Sequence, residues 1–186
     1  MTGWRILPVG LARTGAVMRI SRQQEEKLPI RPKYTLRNGG VYVVFEKGHD
    51  IGFDILFNVL KSSPEFDYGL CFTRENPERI RRKYDLKNTS FVWLTRRRGD
   101  NNIPPESLNR IAGLVSEFVG ERSMVYIDGI EYLIASNDFD AVRTLLDHLS
   151  DVITTSGGIL VYSVDPDILD DRERAILERF AEVIAP

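Results

Sequence analysis

Cysteine and histidine are nearly absent from this chain of 186 residues, which carries one cysteine, Cys71, and two widely separated histidines, His49 and His148. A single thiol cannot form an intrachain disulfide or a cysteine-rich metal site, and two distant histidines would need carboxylates to complete a zinc shell. No metal ligand set is assigned. Cys71 stands in the run Tyr68-Gly69-Leu70-Cys71-Phe72, where an inert buried thiol is expected over a reactive one. Long hydrophobic runs are missing too. No stretch approaches the roughly 18 to 20 apolar residues that span a bilayer, and the N-terminus has no continuous signal-peptide core. A cytoplasmic protein with no membrane partner is therefore expected.

A third absence concerns nucleotides. A phosphate loop needs glycines that turn backbone N–H groups toward phosphate, a lysine for the β and γ phosphates, and a Ser or Thr for magnesium. The stretch in that place reads Glu46-Lys47-Gly48-His49-Asp50-Ile51-Gly52-Phe53-Asp54, with no Gly-Lys-Ser/Thr triplet. Asp50 and Asp54 are expected to put negative charge at the start of the following helix, where an anion would otherwise bind. No cofactor is assigned, and a non-catalytic protein is expected.

What is present is ordinary in amount and uneven in placement. With 42% hydrophobic and 28% charged residues, the chain suits one globular domain carrying an added arm. Residues 1–40 hold eight basic side chains against Glu25 and Glu26, a net of +6, which leaves −8 for the remainder of a chain whose total is −2. Such a split suggests an arm that meets a polyanion or an acidic surface; the alternative is a basic arm that is merely solvated. The arm, residues 1–38, has no sustained period of 3.6 or 2 and carries Pro8, Pro29 and Pro32. Its scattered Trp4, Ile6, Leu7, Val9, Leu11, Val17, Met18 and Ile20 make it apolar enough to dock in a groove or add to a sheet edge. Its candidate partner-binding residues are Arg5, Arg13, Arg19, Arg22, Arg31 and Lys33.

From Gly39-Gly40 the body, residues 39–186, alternates strand and helix patterns. Strands are expected over 41–45, 68–73, 90–95, 124–127 and 159–164. Helices are expected over about 53–60, 77–84, from 104 to about 119, from 138 to about 153 and over about 168–184. Asn76 is a natural N-cap ahead of Pro77, and Asn137 or Asp138 caps the fourth helix. Five strands alternating with helices predict a doubly wound, mainly parallel five-stranded α/β sheet with right-handed crossovers.

The centre of that pattern is Met124-Val125-Tyr126-Ile127, an unbroken apolar run suited to a strand covered on both faces, ended by Asp128-Gly129. An acid at the carboxyl end of a central strand has two explanations. It can be the magnesium-side acid of a nucleotide site, with Glu131 activating water. It can instead be structural, accepting backbone N–H bonds in a tight turn. Without a phosphate loop the structural explanation leads, and Glu131 is free to pair with an arginine of the basic loops. Those loops form the other constellation. Arg74, Arg81 and Arg82 precede the third strand, and Arg96, Arg97 and Arg98 follow it. Thr73-Arg74 and Thr95-Arg96 end their respective strands, so a parallel sheet sends both loops to one edge as a cationic rim. With Trp93 and Tyr84 nearby, such a rim suits nucleic-acid backbone; a solvated face neutralised by acids is the alternative.

Several segments together resemble a known family. Gly39-Gly40-Val41-Tyr42, Gly69-Leu70-Cys71-Phe72-Thr73-Arg74-Glu75-Asn76-Pro77, Val92-Trp93-Leu94-Thr95, Asp128-Gly129-Ile130-Glu131-Tyr132-Leu133-Ile134 and Asp165-Pro166-Asp167-Ile168-Leu169 are similar to the archaeal domain of unknown function 835. The resemblance covers roughly residues 38–184. It implies an archaeal source, a RecA-like or KaiC-like core with a degenerate phosphate loop, and a regulatory role. It supplies no catalytic residues.

Three functions follow as expectations. The first is a non-catalytic binding factor that grips a ribonucleoprotein, foremost the ribosome, through the basic arm and the arginine rim, so regulating translation. The second is a signalling or scaffold domain acting through protein contacts as a homodimer. The third is an unusual nucleotide-binding protein centred on Asp128, Glu131 and Lys47.

Overall fold

A computed structural model describes residues 33–48, 50–63, 65–86 and 88–184. In chain order the elements are β1 (Val41–Phe45), α1 (Asp50–Ser62), β2 (Tyr68–Thr73), α2 (Pro77–Lys83), β3 (Thr89–Leu94), β4 (Asn102–Ile103) and α3 (Leu108–Phe118). There follow β5 (Ser123–Ile127), α4 (Ile130–Ser136), α5 (Phe139–Ser156), β6 (Ile159–Val164), a 3₁₀ turn (Pro166–Ile168), α6 (Asp171–Phe180) and β7 (Glu182–Val183). Among the described residues these strands make one sheet in the order β4-β3-β2-β5-β6-β1-β7. Every pairing in it is parallel.

The sheet has seven strands where the sequence pattern predicts five. The two additions, β4 and β7, are two residues each, too short to generate a period, and they lie at the two margins of the sheet. A further helix, α4, occupies the stretch after Asp128, and the expected last helix divides into the 3₁₀ turn, α6 and β7. Of the predicted arm, Arg5, Arg13, Arg19, Arg22 and Arg31 lie outside the described residues. Residues 33–38 rest on the body: Lys33 Nζ meets Asp54 at 2.7 Å and Arg37 Nη2 meets Glu182 at 2.6 Å.

The period-two alternation of a strand sorts the core into two layers. In β5, Val125 and Ile127 face α3, α4, α5 and α6, packing among Ile111, Leu133, Leu146 and Leu177. Met124 and Tyr126 face α1 and α2, packing among Phe53, Leu56, Val59 and Ile80. All five residues of β5 are buried, as expected of a parallel strand covered on both sides. Each fully buried aliphatic or aromatic side chain here contributes about 1.5–3 kcal/mol.

Helix ends follow the expected chemistry. Asn76 Oδ1 accepts the Glu78 amide at 2.9 Å with Pro77 in the first turn, and Asp138 Oδ1 accepts the Ala141 amide at 2.7 Å. Asp170 and Glu173 form a reciprocal capping box that starts α6. α1 packs against β5 with no room for a side chain at Gly52. A methyl group at Gly52 would run into the hydroxyl and ring of Tyr126, so only glycine lets the helix approach this near.

Two expected outcomes follow. Gly52→Ala is expected to destabilise the protein by about 1–3 kcal/mol in urea unfolding, the usual cost of overpacking; an unchanged midpoint would show that α1 can shift freely. The second concerns pH. Burial, reinforced by Asp128, pushes the Cys71 thiol well up, and burial with Asp128 and Glu46 does the same for the Tyr126 phenol. Above about pH 8.5 the unfolded chain releases the thiol proton, and above about pH 10 the phenol proton, while the folded protein retains both. Stability contributed by these groups is full below those values and is lost as pH rises, by about 1.4 kcal/mol per pH unit per group. Unfolding free energies from pH 7 to 10 should show that slope, and Cys71→Ala should remove its first part.

Candidate functional site

In an open parallel sheet, ligands bind outside the carboxyl ends of the strands. Here that edge is built from Glu46 after β1, Arg74 after β2, Asp128 after β5 and Asp165 after β6. At that edge lies a small depression of about 80 Å³ lined by Glu46, Lys47, Gly48, Arg74, Glu131 and Asp165.

Glu46 decides what the depression can hold. Its carboxylate accepts the Ile51 amide through Oε2 at 2.8 Å and the Gly52 amide through Oε1 at 3.1 Å. The first amides of a helix point outward unpaired and carry partial positive charge, which is why phosphates settle there. In this protein a carboxylate of the same chain, 7% exposed, occupies that position. The sequence pattern assigns the negative charge to Asp50 and Asp54, and the structure places it differently. Asp50 turns to Lys83, and Asp54 meets Lys33 and accepts the Tyr34 hydroxyl at 3.1 Å. Glu46 was legible only as an acid between a buried strand and a helix start, a signal that the two aspartates nearer the helix obscured.

Asp128 lies beneath the edge with no exposure. Its Oδ2 accepts the Thr73 hydroxyl at 2.8 Å, and the Thr73 oxygen in turn accepts the Glu75 amide at 3.0 Å. The contact that ties Asp128 down is a hydroxyl from the neighbouring strand β2. Gly129 carries the turn at φ +82°, and a methyl group there would stand 3.0 Å from Arg74 Cδ. Left-handed backbone and a close neighbour both favour glycine. Glu131, at the start of α4, pairs with Arg74 at 3.3 Å, and its Oε2 accepts the Asp165 amide at 3.4 Å. The Arg74 carbonyl accepts the Trp93 indole N–H at 3.0 Å, tying the loop after β2 to β3. Lys47 meets Asp167 at 2.6 Å. Lys47 and Glu131 thus line the same depression, each paired with an opposite charge, while Asp128 lies buried beneath it and does not line it. Among the described residues no three His, Cys, Asp or Glu side chains are grouped to hold a metal ion, and no helix is long and apolar enough to cross a membrane.

The arginines divide between two places. Arg74 and Arg96, Arg97 and Arg98 follow adjacent parallel strands and share the carboxyl edge. Arg96 Nε donates to Glu106 at 2.7 Å, and the Arg97 guanidinium lies 5.8 Å from the Trp93 ring centre. Arg98 is exposed with no ion pair among the described residues. Arg81 and Arg82 sit on α2, which runs back from that edge. Arg81 meets Glu78 at 3.8 Å, lies over the Phe91 ring at 5.1 Å, and lines a groove beside the start of β3. The rim is thus narrower than the sequence suggests, because a helix between two strands carries its later residues toward the opposite edge.

The chain belongs to the family described as protein of unknown function (DUF835), whose sequence model matches residues 54–180. It is similar in fold to a KaiC-like protein, PH0186, of the hyperthermophilic archaeon Pyrococcus horikoshii OT3, with 15% identity, a TM-score of 0.58, and coverage of 78% of this chain and 71% of that one. It is also similar to PH0250 from the same organism, the subject of a structural study, with 16% identity, a TM-score of 0.53, and coverage of 78% and 80%. No curated protein matches the chain. With a wholly parallel sheet covered on both faces, these likenesses establish a RecA-like α/β fold.

Removing the internal carboxylate tests its role. Glu46→Ala leaves two helix amides without their acceptor and is expected to cost about 1–3 kcal/mol in chemical denaturation. Glu46→Gln keeps an oxygen and should cost less. Equal stability of all three proteins would mean that water serves those amides as well.

Proposed function

We propose that this protein is a non-catalytic regulatory binding factor that docks on a ribonucleoprotein, with the ribosome as the foremost candidate. The observation that carries the reading is the Glu46 carboxylate on the Ile51 and Gly52 amides, where a nucleotide phosphate would have to sit. A phosphate brought to that point would meet like charge in a partly desolvated site, which is costly. Asp128 is committed to Thr73, and Glu131 to Arg74, so the reading centred on nucleotide binding has little support. Binding then falls to the surface. The loop after β3 offers the Arg97 guanidinium beside Trp93 and the exposed Arg98, a combination that suits phosphates with an adjacent base. The basic sequence of residues 1–40 supplies further charge.

A protein scaffold acting as a homodimer is the second reading. It is favoured by the exposed Phe180 and Val183, 45% and 44% accessible, at the β7 margin.

The experiment is binding of fluorescently labelled single-stranded RNA and of ribosomal subunits to the full chain between 50 and 200 mM salt, scored by anisotropy and co-sedimentation. Affinity should fall steeply with salt, and the Arg97→Ala/Arg98→Ala variant should bind roughly tenfold more weakly with a salt slope reduced by between about one and two. RNA binding that is absent, or indifferent to salt and to this variant, would overturn the ribonucleoprotein reading; nuclease-resistant recovery of a protein partner would then support the scaffold.

A further inference from the structure

Among the described residues the sheet is incomplete along one margin. β3 pairs with β2 along residues 89–93, but on its other side β4 reaches only Trp93 and Leu94. The Trp93 amide donates outward to the Asn101 carbonyl at 2.9 Å. Alternation along a strand puts the N–H and C=O of Thr89 and Phe91 on this same outer side. Beside them lies a groove of about 460 Å³, within the range of ligand-holding clefts. Its lining includes buried Val92 and half-buried Leu114 and Phe118, so it joins apolar surface to a short row of backbone donors and acceptors.

The charges of the groove have an order set by topology. β3 and β5 both run parallel to β2, so α3, which carries the chain from the end of one to the start of the other, runs against β3. Its groove-lining residues are Arg110, Leu114, Glu117 and Phe118, one stripe at helical spacing. Arg110 therefore stands toward β4 and Glu117 toward Thr89, about two turns or roughly 10 Å apart. Both are exposed, and neither has an ion pair among the described residues. Arg81 and Asp100 also line the groove, and their signs cancel.

We propose that this groove binds a short free peptide, extended beside β3, with its carboxylate at Arg110 and its ammonium at Glu117. Length, direction and charge support it. A strand of about three residues spans roughly 10 Å, the separation of the two charges. β4 holds the same lane from Asn102 onward, so a strand laid beside Thr89 and Phe91 has to end there, where the planar fork of Arg110 suits a carboxylate. The peptide then runs parallel to β3, as every other strand of the sheet does. A groove that is neutral as a whole, with one charge of each sign unmet on α3, matches a zwitterion. A nucleic-acid backbone gains nothing from charges that cancel, so this inference goes beyond the ribonucleoprotein reading and does not rest on it.

NMR titration of the full chain with trivaline tests it. The Thr89 and Phe91 amides should shift saturably, while the Val125 amide, in the centre of the sheet, stays unmoved as the folding control. Amidating the peptide's carboxyl terminus, or acetylating its amino terminus, should each weaken binding about tenfold, the scale of one hydrogen bond to a charged group. Arg110→Gln should weaken the free peptide as much as amidation does and leave the amidated peptide unaffected; Glu117→Gln should do the same for the acetylated one. Groove amides that do not move at millimolar trivaline, or equal affinity for the free and capped peptides, overturn the proposal. Phe91 shifts that follow protein concentration with no peptide present overturn it too, and assign the groove to a second copy.

Discussion

A glutamate bound by two amides of the following helix organises the carboxyl edge of this protein. The amino end of α1 carries the partial positive charge of unpaired helix amides, and Glu46 takes it from within. The contact requires α1 to sit low on the sheet, and it does so because Gly52 lets Tyr126 of β5 approach the helix backbone. Tyr126 in turn shares a hydrogen bond of 3.0 Å with Ser163 of β6. One glycine, one tyrosine and one glutamate therefore couple α1 to the three strands β1, β5 and β6. Substituting any of them changes how deep the helix sits, and with it the whole depression at the strand ends.

The same economy governs the remaining charges. Buried Asp128 is stabilised by the Thr73 hydroxyl, while half-buried Glu131 is shared between Arg74 and the Asp165 amide. Breaking a hydrogen bond to a buried carboxylate costs more than an exposed ion pair gains. Thr73 and Glu46 therefore matter more to the fold than the surface pairs Lys47–Asp167 or Arg96–Glu106, which are open to solvent and screened by salt.

How much of this was legible in the sequence depends on the length scale of each signal. The five longer strands, the caps at Asn76 and Asp138 and the burial of β5 follow from local periods and side-chain chemistry, and the structure has them all. The strands β4 and β7 carry no period and exist because the sheet offers a neighbour. α4 was hidden because Ile130, Leu133 and Ile134 continue the apolar texture of the strand before them, and only the left-handed Gly129 separates the two elements. At the site, the pairing of Glu131 with an arginine could be anticipated from charge. The partners of Glu46 and Asp128 could not, because each depends on the depth of an element that sequence spacing does not report.

A fold in this class places its ligands at the carboxyl ends of the strands, but a fold does not carry a function with it. Once the helix start at α1 holds a carboxylate of the chain itself, the geometry that favours nucleotides becomes a structural asset, a means of fixing α1. Among the described residues, the loop after β3 keeps its charge on the surface, with the Arg97 guanidinium beside Trp93 and Arg98 exposed. Trp93 is itself fixed, because its indole N–H is bonded to the Arg74 carbonyl of the neighbouring loop. The sheet therefore holds the base of this loop in place while its arginines stay in solvent, the reverse of what happens at Glu46, where charge is turned inward to fix a helix.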